Sequence, residues 1–308
     1  METFKIGPQD EGKRLDQFMQ DKKHWPRSLV MKAIRTKKLK VNGKKEDASF
    51  RLSRGDDVVS YVLEEKKNTE PVILYEDENL LAAVKPAGLL SLDPEGKEKD
   101  TLLTRVNKYL EGKGEAPAIP VHRIDFHTEG ILLFAKNRPA ADVLEGLIRD
   151  RKIGKTYLAV VTGRVQNSKG RLEHQLFKDA KQNKVFVSEE RIKGSKTAIT
   201  EYERMAATGD LTLVKCHLIT GRTHQIRTQL AHIGHPILGD DKYGFKALNK
   251  EYKERGQLLC AYQLSFDFTE EGGILSYLSG KTIRLPKVAF VHKYFSGVHY
   301  YCLLYTSP

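Results

Sequence analysis

Apolar positions recur along this chain with two periods, and the change from one to the other marks its elements. From Arg14 to Met19 (RLDQFM), and again at Leu29, Val30, Ala33 and Ile34, they fall at i, i+3, i+4 spacing and predict two short amphipathic helices, with Ser28 placed to cap the second. LKVNGKK then reads as a strand running into an Asn42-Gly43 turn, and VVSYVL as a strand behind the Arg54-Gly55-Asp56 turn. Residues 64–71 (EEKKNTEP) break the pattern: polar, close to balanced in charge and closed by Pro71, they predict a linker. Beyond it, VILYEDENLLAAVKP predicts two strands across an acidic turn, SLDPEGKEKD (residues 91–100) a loop, and GILLFAK a short buried strand. Asn137 and Pro139 open a helix with the stripe Ala140, Val143, Leu144, Leu147 and Ile148. TYLAVVTG, TAITEYERMAA and LTLVKCHLIT read as strands, and THQIRTQLAHIG as a helix that ends at Gly234. Neither an internal repeat nor a low-complexity tract interrupts this order.

A length of 308 residues fits one large domain and a small one, and 40% apolar with 30% charged residues is a globular balance that excludes global disorder. The net charge of +12 favours a polyanionic partner. It is unevenly spread: residues 11–63 hold 14 Lys/Arg against 7 Asp/Glu, a surplus of +7 in about a sixth of the chain. Arg27, Lys32, Arg35, Lys37 and Lys38 cover the polar face of the second predicted helix, and Arg14 opens the first. On charge alone this is either a solvated basic face or a small RNA-binding module. Cys216, Cys260 and Cys302 lie far apart without a C-x-x-C pair, which argues against a zinc site or a disulfide framework and for a reducing, cytoplasmic setting. A charged N-terminus and the lack of any apolar run near the ~18 residues of a membrane helix argue against secretion and membrane spanning.

Two segments concentrate chemistry. In the first, His122-Arg123-Ile124-Asp125 with Thr128 and Gly130, a carboxylate stands among basic residues just before a buried strand; taken alone, such an Asp is more often a loop or turn residue. In the second, Gly221-Arg222-Thr223-His224-Gln225-Ile226-Arg227, Arg, His, Gln and Arg open a predicted helix at its positive end, which suits a phosphate or a carboxylate. His224, His232 and His235 come without a placed carboxylate or Cys, so no metal site is expected. Walker, G-x-G-x-x-G and G-x-S-x-G patterns do not occur, and nucleotide cofactors and serine hydrolysis have no support.

With ILYEDENLLAAVKPAGLL (residues 73–90), HRIDFHTEG (122–130), KTYLAVVTG (155–163), GRTHQIRTQLAHIGHPILGDDKYG (221–244) and LLCAYQLSF (258–266) in this order, the chain resembles the RluA-type pseudouridine synthases over residues 12–292. The basic N-terminal module resembles an S4 domain. The resemblance implies an α+β fold: an S4-like RNA-binding domain over 1–67, then a catalytic domain over 68–292 built on a mixed, largely antiparallel sheet. It implies isomerisation of uridine to pseudouridine in RNA without a cofactor, by a monomer. Large-subunit ribosomal RNA is the first expectation and tRNA the second; the rival is an RNA-binding or ribosome-assembly protein that has lost catalysis. By residue, it makes Asp125 the nucleophile, Tyr157 the base contact and proton acceptor, Arg227 the partner of the Asp, and Arg123 a side chain that helps extrude the base. His122, Thr128, Arg222, His224 and Gln225 are expected to bind substrate, and Arg14, Arg27, Lys32, Arg35, Lys37 and Lys38 to bind RNA from the S4-like module. The chain departs from the family pattern at Phe126 and Glu129, where Arg and Ser are usual, and at Leu92-Asp93, where a His is missing. Phe126 is expected to stack or pack, and Glu129 to add negative charge near Asp125. The closing CLLYTSP looks like translated adapter sequence, so residues 293–308 are expected to form a non-native or disordered tail.

Overall fold

Residues 1–298, except 24, 26, 63–68, 97, 99, 181, 183, 189, 270 and the side chain of Ser28, are described by the computed structural model. The expected linker thus falls largely outside the described residues, as do residues 299–308 of the expected tail. The chain divides into two compact units, Met1–Thr69 and Glu70–Pro308.

The first unit runs β1 (Glu2–Lys5), α1 (Leu15–Lys23), α2 (Arg27–Arg35), β2 (Leu39–Val41) and β3 (Asp57–Ser60), with sheet order β1-β3-β2, all antiparallel. Leu15, Phe18 and Met19 of α1 and Val30 and Ala33 of α2 pack with Trp25, Leu39, Val41, Leu52 and Val58 into its core. Helix α2 begins at Arg27, so Ser28 stands inside its first turn and does not precede it as a cap. Asn42 and Gly43, both at positive φ, make the tight turn after β2.

The second unit contains β4 (Val72–Glu76), β5 (Leu80–Lys85), α3 (Leu102–Glu111), β6 (Ile119–Pro120), β7 (Glu129–Ala135), α4 (Arg138–Arg149), β8 (Ile153–Thr162), β9 (Lys169–Asp179), β10 (Lys184–Ser188), β11 (Lys196–Thr208), β12 (Leu211–Leu218), α5 (Gln225–His232), α6 (Lys246–Glu251), β13 (Leu259–Phe266), a 3₁₀ turn (Gly273–Leu278), β14 (Thr282–Arg284) and α7 (Ala289–Tyr294). Among the described residues its strands form one sheet in the order β10-β9-β11-β12-β8-β13-β7-β5-β4, with β14 on β13 and β6 on β7. Every pairing is antiparallel except β13 with β7. This is the mixed, largely antiparallel α+β architecture expected.

Central strands carry continuous apolar runs because both sheet faces are covered. On one face Ile131, Leu133, Leu158 and Val160 meet Leu144 and Leu147 of α4 and Phe290 and Val291 of α7. On the other, Leu132 and Phe134 meet Leu102, Val106 and Leu110 of α3, while Ala159, Val161 and Val214 meet Ile226 and Leu230 of α5. Tyr157 packs against both of these last two groups, so it stands in the gap between the α3 and α5 covers. Phe295 is buried in the first core, so packed chain continues beyond residue 293, where the tail was expected to start. Thr101 caps α3 through a reciprocal box with Thr104, a start that the usual Glu or Gln signature does not reveal.

Three close approaches fix loops around this gap. At Gly130, φ is +123°, and a methyl group would overlap the backbone of Ala261 on β13. Gly239, φ +82°, rests against the carbonyl of Gly256, and Gly256 in turn rests against the His127 ring.

Candidate active site

The gap opens into a cavity of about 720 Å³, lined by His122–Thr128, Lys155, Tyr157, Gly221–Arg227 and Gln257 among others. That lies within the about 300–1,000 Å³ of ordinary small-molecule clefts. All the residues expected at the catalytic and substrate sites line it, although they come from three distant stretches of chain.

Asp125 sits in the loop before β7, and each neighbouring backbone group is fastened. Thr128 N–H donates to the Asp125 carbonyl at 3.1 Å. Ser91 Oγ donates to the Ile124 carbonyl (3.0 Å) and accepts from Ile124 N–H (3.2 Å). Gly88 N–H and Lys85 Nζ both donate to the Phe126 carbonyl at 2.9 Å. Lys85, fully buried, spends its other protons on the carbonyls of Pro86 and Leu89. Burial pushes its pKa down to about 7, against the pull of the Asp125 and Glu129 charges. The KPAGLLS segment therefore serves as the mount of the Asp125 loop, a role that nothing in its sequence pattern signals.

Arg227 comes from the first turn of α5. His224, at φ 53°, precedes the helix. Gln225 locks the start: its Oε1 accepts from Thr220 Oγ1 (2.8 Å) and Arg222 N–H (2.9 Å), and its Nε2 donates to the Ile199 carbonyl (3.0 Å) and Thr200 Oγ1 (2.9 Å). With four partners and 3% exposure, Gln225 has nothing left to offer a substrate; it positions α5 and Arg227. Arg227 Nε and Nη2 grip Asp240 at 2.7 and 2.9 Å, a bidentate pair in which Asp240 is fully buried. The remaining nitrogen, Nη1, donates to Asp125 Oδ2 at 3.0 Å. Burial opposes the guanidinium charge, but the two carboxylates, Asp240 foremost, raise the pKa of Arg227 above its ordinary value. Asp125 Oδ1 has no hydrogen-bond partner among the described residues, and the side chain is 26% exposed.

Tyr243 closes this group from outside. Its ring lies 5.2 Å from the Arg227 guanidinium, and its hydroxyl accepts from Val185 N–H and shares a 2.9 Å hydrogen bond with His224 Nδ1. The other His224 nitrogen is 3.9 Å from Asp125 Oδ2. Burial holds the His224 pKa below its usual value, with Asp125 pulling the other way. His122 accepts from Leu133 N–H at Nε2 (3.0 Å), and burial together with the Lys155 charge lowers its pKa to about 3. It is a neutral ring with one nitrogen already used.

Thr128 is buried and accepts from Gln257 Nε2 at 3.1 Å. Arg123 is exposed, and so is Arg222, whose Nε reaches the Thr197 carbonyl. Tyr157 projects from β8; burial first, then the Asp125 charge, raises the pKa of its hydroxyl. Phe126 is 45% exposed at the cavity wall, with its ring edge-on to His127. Glu129 does not line the cavity: it lies level with Cys260 of β13, and burial raises its pKa against the pull of Lys85. Among the described residues no group of three or more His, Cys, Asp or Glu side chains could hold a metal ion.

The six residues expected to bind RNA lie in the other unit, all exposed. Arg14 is clamped by Asp16 through two hydrogen bonds of 3.0 and 2.9 Å, which occupies part of its fork. Arg27, Lys32, Arg35, Lys37 and Lys38 have no ion pair among the described residues.

Comparison with known proteins agrees with this geometry. The RNA pseudouridylate synthase family model matches residues 79–232, and the S4 domain model matches residues 13–58. Ribosomal large subunit pseudouridine synthase C of Escherichia coli (strain K12) is 32% identical over 293 residues, covering 87% of this chain and 88% of its own. The uncharacterized RNA pseudouridine synthase YlyB of Bacillus subtilis (strain 168) is 31% identical over 281 residues, 87% of this chain and 90% of the other. Among solved structures, human RNA pseudouridylate synthase domain containing 4 aligns with a TM-score of 0.57 at 25% identity, covering 72% of this chain and 90% of that one.

Proposed function

Because this chain belongs to the RNA pseudouridylate synthase family and is an enzyme of that kind, we propose that it isomerises a defined uridine of large-subunit ribosomal RNA, with Asp125 as nucleophile. The observation that carries this reading is the half-committed carboxylate. Arg227, anchored by Asp240, turns one N–H onto Asp125 Oδ2, while Oδ1 is unpaired among the described residues, within the cavity that Tyr157 also lines. An anion so oriented can attack C1′ of a flipped-out nucleotide as the bond to N1 breaks. The freed base turns, C5 bonds to C1′, the carboxylate leaves and C5 loses its proton. Tyr157, which lines the same cavity, is assigned the acceptance of that proton, a role that requires its own hydroxyl proton to pass to solvent first; burial and then the Asp125 charge oppose that ionisation.

Large-subunit RNA is favoured over tRNA by the S4 match and by the named substrate of the Escherichia coli relative. The same kinship supports action in the cytoplasm, and a site assembled from one chain supports a monomer. Tritium release from RNA labelled with [5-³H]uridine tests the reaction. Release from ribosomal transcripts is expected; release from tRNA alone reassigns the substrate, and tight binding without release makes the chain a binding protein.

Two further outcomes are expected. Tyr157→Phe keeps the ring and removes the oxygen, so turnover should fall about 10²–10⁴-fold. Single-turnover rates at equal RNA occupancy check this, and a near-normal rate reduces the hydroxyl to packing. Replacing Lys32, Arg35, Lys37 and Lys38 together by Gln should weaken RNA binding. It should also flatten the salt dependence, the slope falling by about 0.7–0.9 for each phosphate that the module no longer neutralises. Titrations between low and physiological salt report both changes.

A further inference from the structure

Lys155 is a half-buried cationic side chain of the cavity that donates to no described residue. Arg227 is satisfied by Asp240 and Asp125, and Lys85 by three carbonyls. An ammonium partly withdrawn from water gains from an acceptor, and the described chain offers it none. His122, close enough for its pKa to be lowered by the Lys155 charge, is neutral and cannot balance it.

The strand places this amine. Lys155 and Tyr157 are two positions apart on β8, so they share a face about 7 Å apart. Tyr157 is level with Ala261 of β13, which pairs with Gly130 at the start of β7 just after the Asp125 loop, whereas Lys155 is level with Leu264, farther along β13. The register therefore runs from the Asp125 end past Tyr157 to Lys155. A uridine with C1′ at Asp125 and its ring beside Tyr157 points the edge opposite N1, which carries O4, toward Lys155. Phosphates have other partners, since Arg123, Lys178 and Arg222 are exposed around the cavity.

Resting on the function proposed above, we infer that Lys155 is a further catalytic residue that donates a hydrogen bond to uracil O4, selecting uracil over cytosine and holding the charge of the departing base. An ammonium offers donors only, so the amino group that cytosine carries at C4 meets it donor to donor. When C1′–N1 breaks, its electron pair leaves with the base and spreads onto O2 and O4, while C1′ bonds to the Asp125 oxygen. Lys155 stabilises that anion without giving up a proton. The charge is discharged when C5 attacks C1′ and the Asp125 carboxylate is released.

Saturation-transfer NMR with the full chain, using uridine and cytidine 5′-monophosphate as probes, tests the base-reading role. The wild type should favour the uridine nucleotide by about tenfold or more, and Lys155→Met should erase that preference. Tritium release should fall about 10²-fold in Lys155→Met, with the RNA dissociation constant within about threefold of wild type. Lys155→Arg, which keeps a charged donor, should regain part of both; it decides the matter if the Met variant melts early. A preference retained by Lys155→Met, absent from the wild type, or lost equally in Lys155→Arg overturns the assignment. A wild type that prefers the uridine nucleotide yet releases no tritium from any RNA defeats the proposed function and leaves the base-reading role standing.

Discussion

Replacing Asp125 by Asn is expected to lower tritium release by about 10⁴-fold or more while RNA affinity stays within about threefold of wild type. The amide has the size of the carboxylate, and the site is a loop whose backbone is fastened by Ser91, Gly88 and Lys85, so the fold does not depend on the charge. An amide oxygen can still face Arg227 Nη1. What disappears is a nucleophile able to form a sugar ester. Affinity rests on contacts between cationic side chains and phosphates, so losing one anion does not weaken it. Parallel filter-binding and single-turnover assays separate the two quantities. A variant that releases tritium at the wild-type rate would remove Asp125 from the chemistry.

Asp240→Asn should be the most damaging change for stability. Asp240 is fully buried, Arg227 is 5% exposed, and the two share a bidentate contact. Asp240 Oδ1 also accepts from the N–H groups of Lys242 and Tyr243 at 2.9 and 3.1 Å, which shapes the next turn. An Asn must turn its NH₂ toward either the guanidinium or those amides, and Arg227 keeps only Asp125 as an anion. Breaking a buried pair of this kind costs about 3–5 kcal/mol. At about 2–4 °C per kcal/mol for a unit of this size, the melting temperature should drop by about 6–20 °C. Activity measured well below that midpoint should still fall about 10²-fold, because Arg227 is free to swing away from Asp125. Unchanged melting, read by calorimetry, would show that solvent or a rearranged neighbour replaces the missing carboxylate.

The parts of this site that were legible in the sequence are those whose residue type already implies a reaction. Asp125 before a buried strand and Arg227 at a helix start could be singled out, yet they meet across 102 positions of chain, and no periodicity predicts that contact. Asp240 was invisible as a partner, because nothing in GHPILGDDKYG sets it apart from Asp241 and only the fold brings it to Arg227. Gln225 looked like a substrate ligand by its place beside His224; in fact its amide faces inward and ties α5 to β11. Residues 225–230 are all buried and include Gln225, Arg227 and Gln229, which a hydrophobic pattern scores as a surface. Strands followed the apolar runs well at β5, β7, β8 and β12, whose faces are both covered. Strand β9 was missed, because its burial pattern alternates with exposed Arg171, Glu173 and Lys178 and its charge density resembles a loop. Near the C-terminus, Phe295 packs into the core three residues beyond the boundary expected at 292, a single buried side chain too brief a signal to stand out beside an odd tail.

The glycine contacts at Gly130, Gly239 and Gly256 bear on how such an enzyme can diverge. Each places one backbone against another chain segment with no space for a single extra carbon, so the segments around Asp125 and Asp240 can change only together. A lineage acquiring a new target RNA therefore has little freedom in the floor of its reaction chamber. Heritable variation in target choice should collect where side chains face outward, at Arg123, Phe126, Lys178 and Arg222, and in the separate basic unit. Laboratory libraries aimed at retargeting the enzyme would accordingly keep the three glycines fixed and randomise that outer ring.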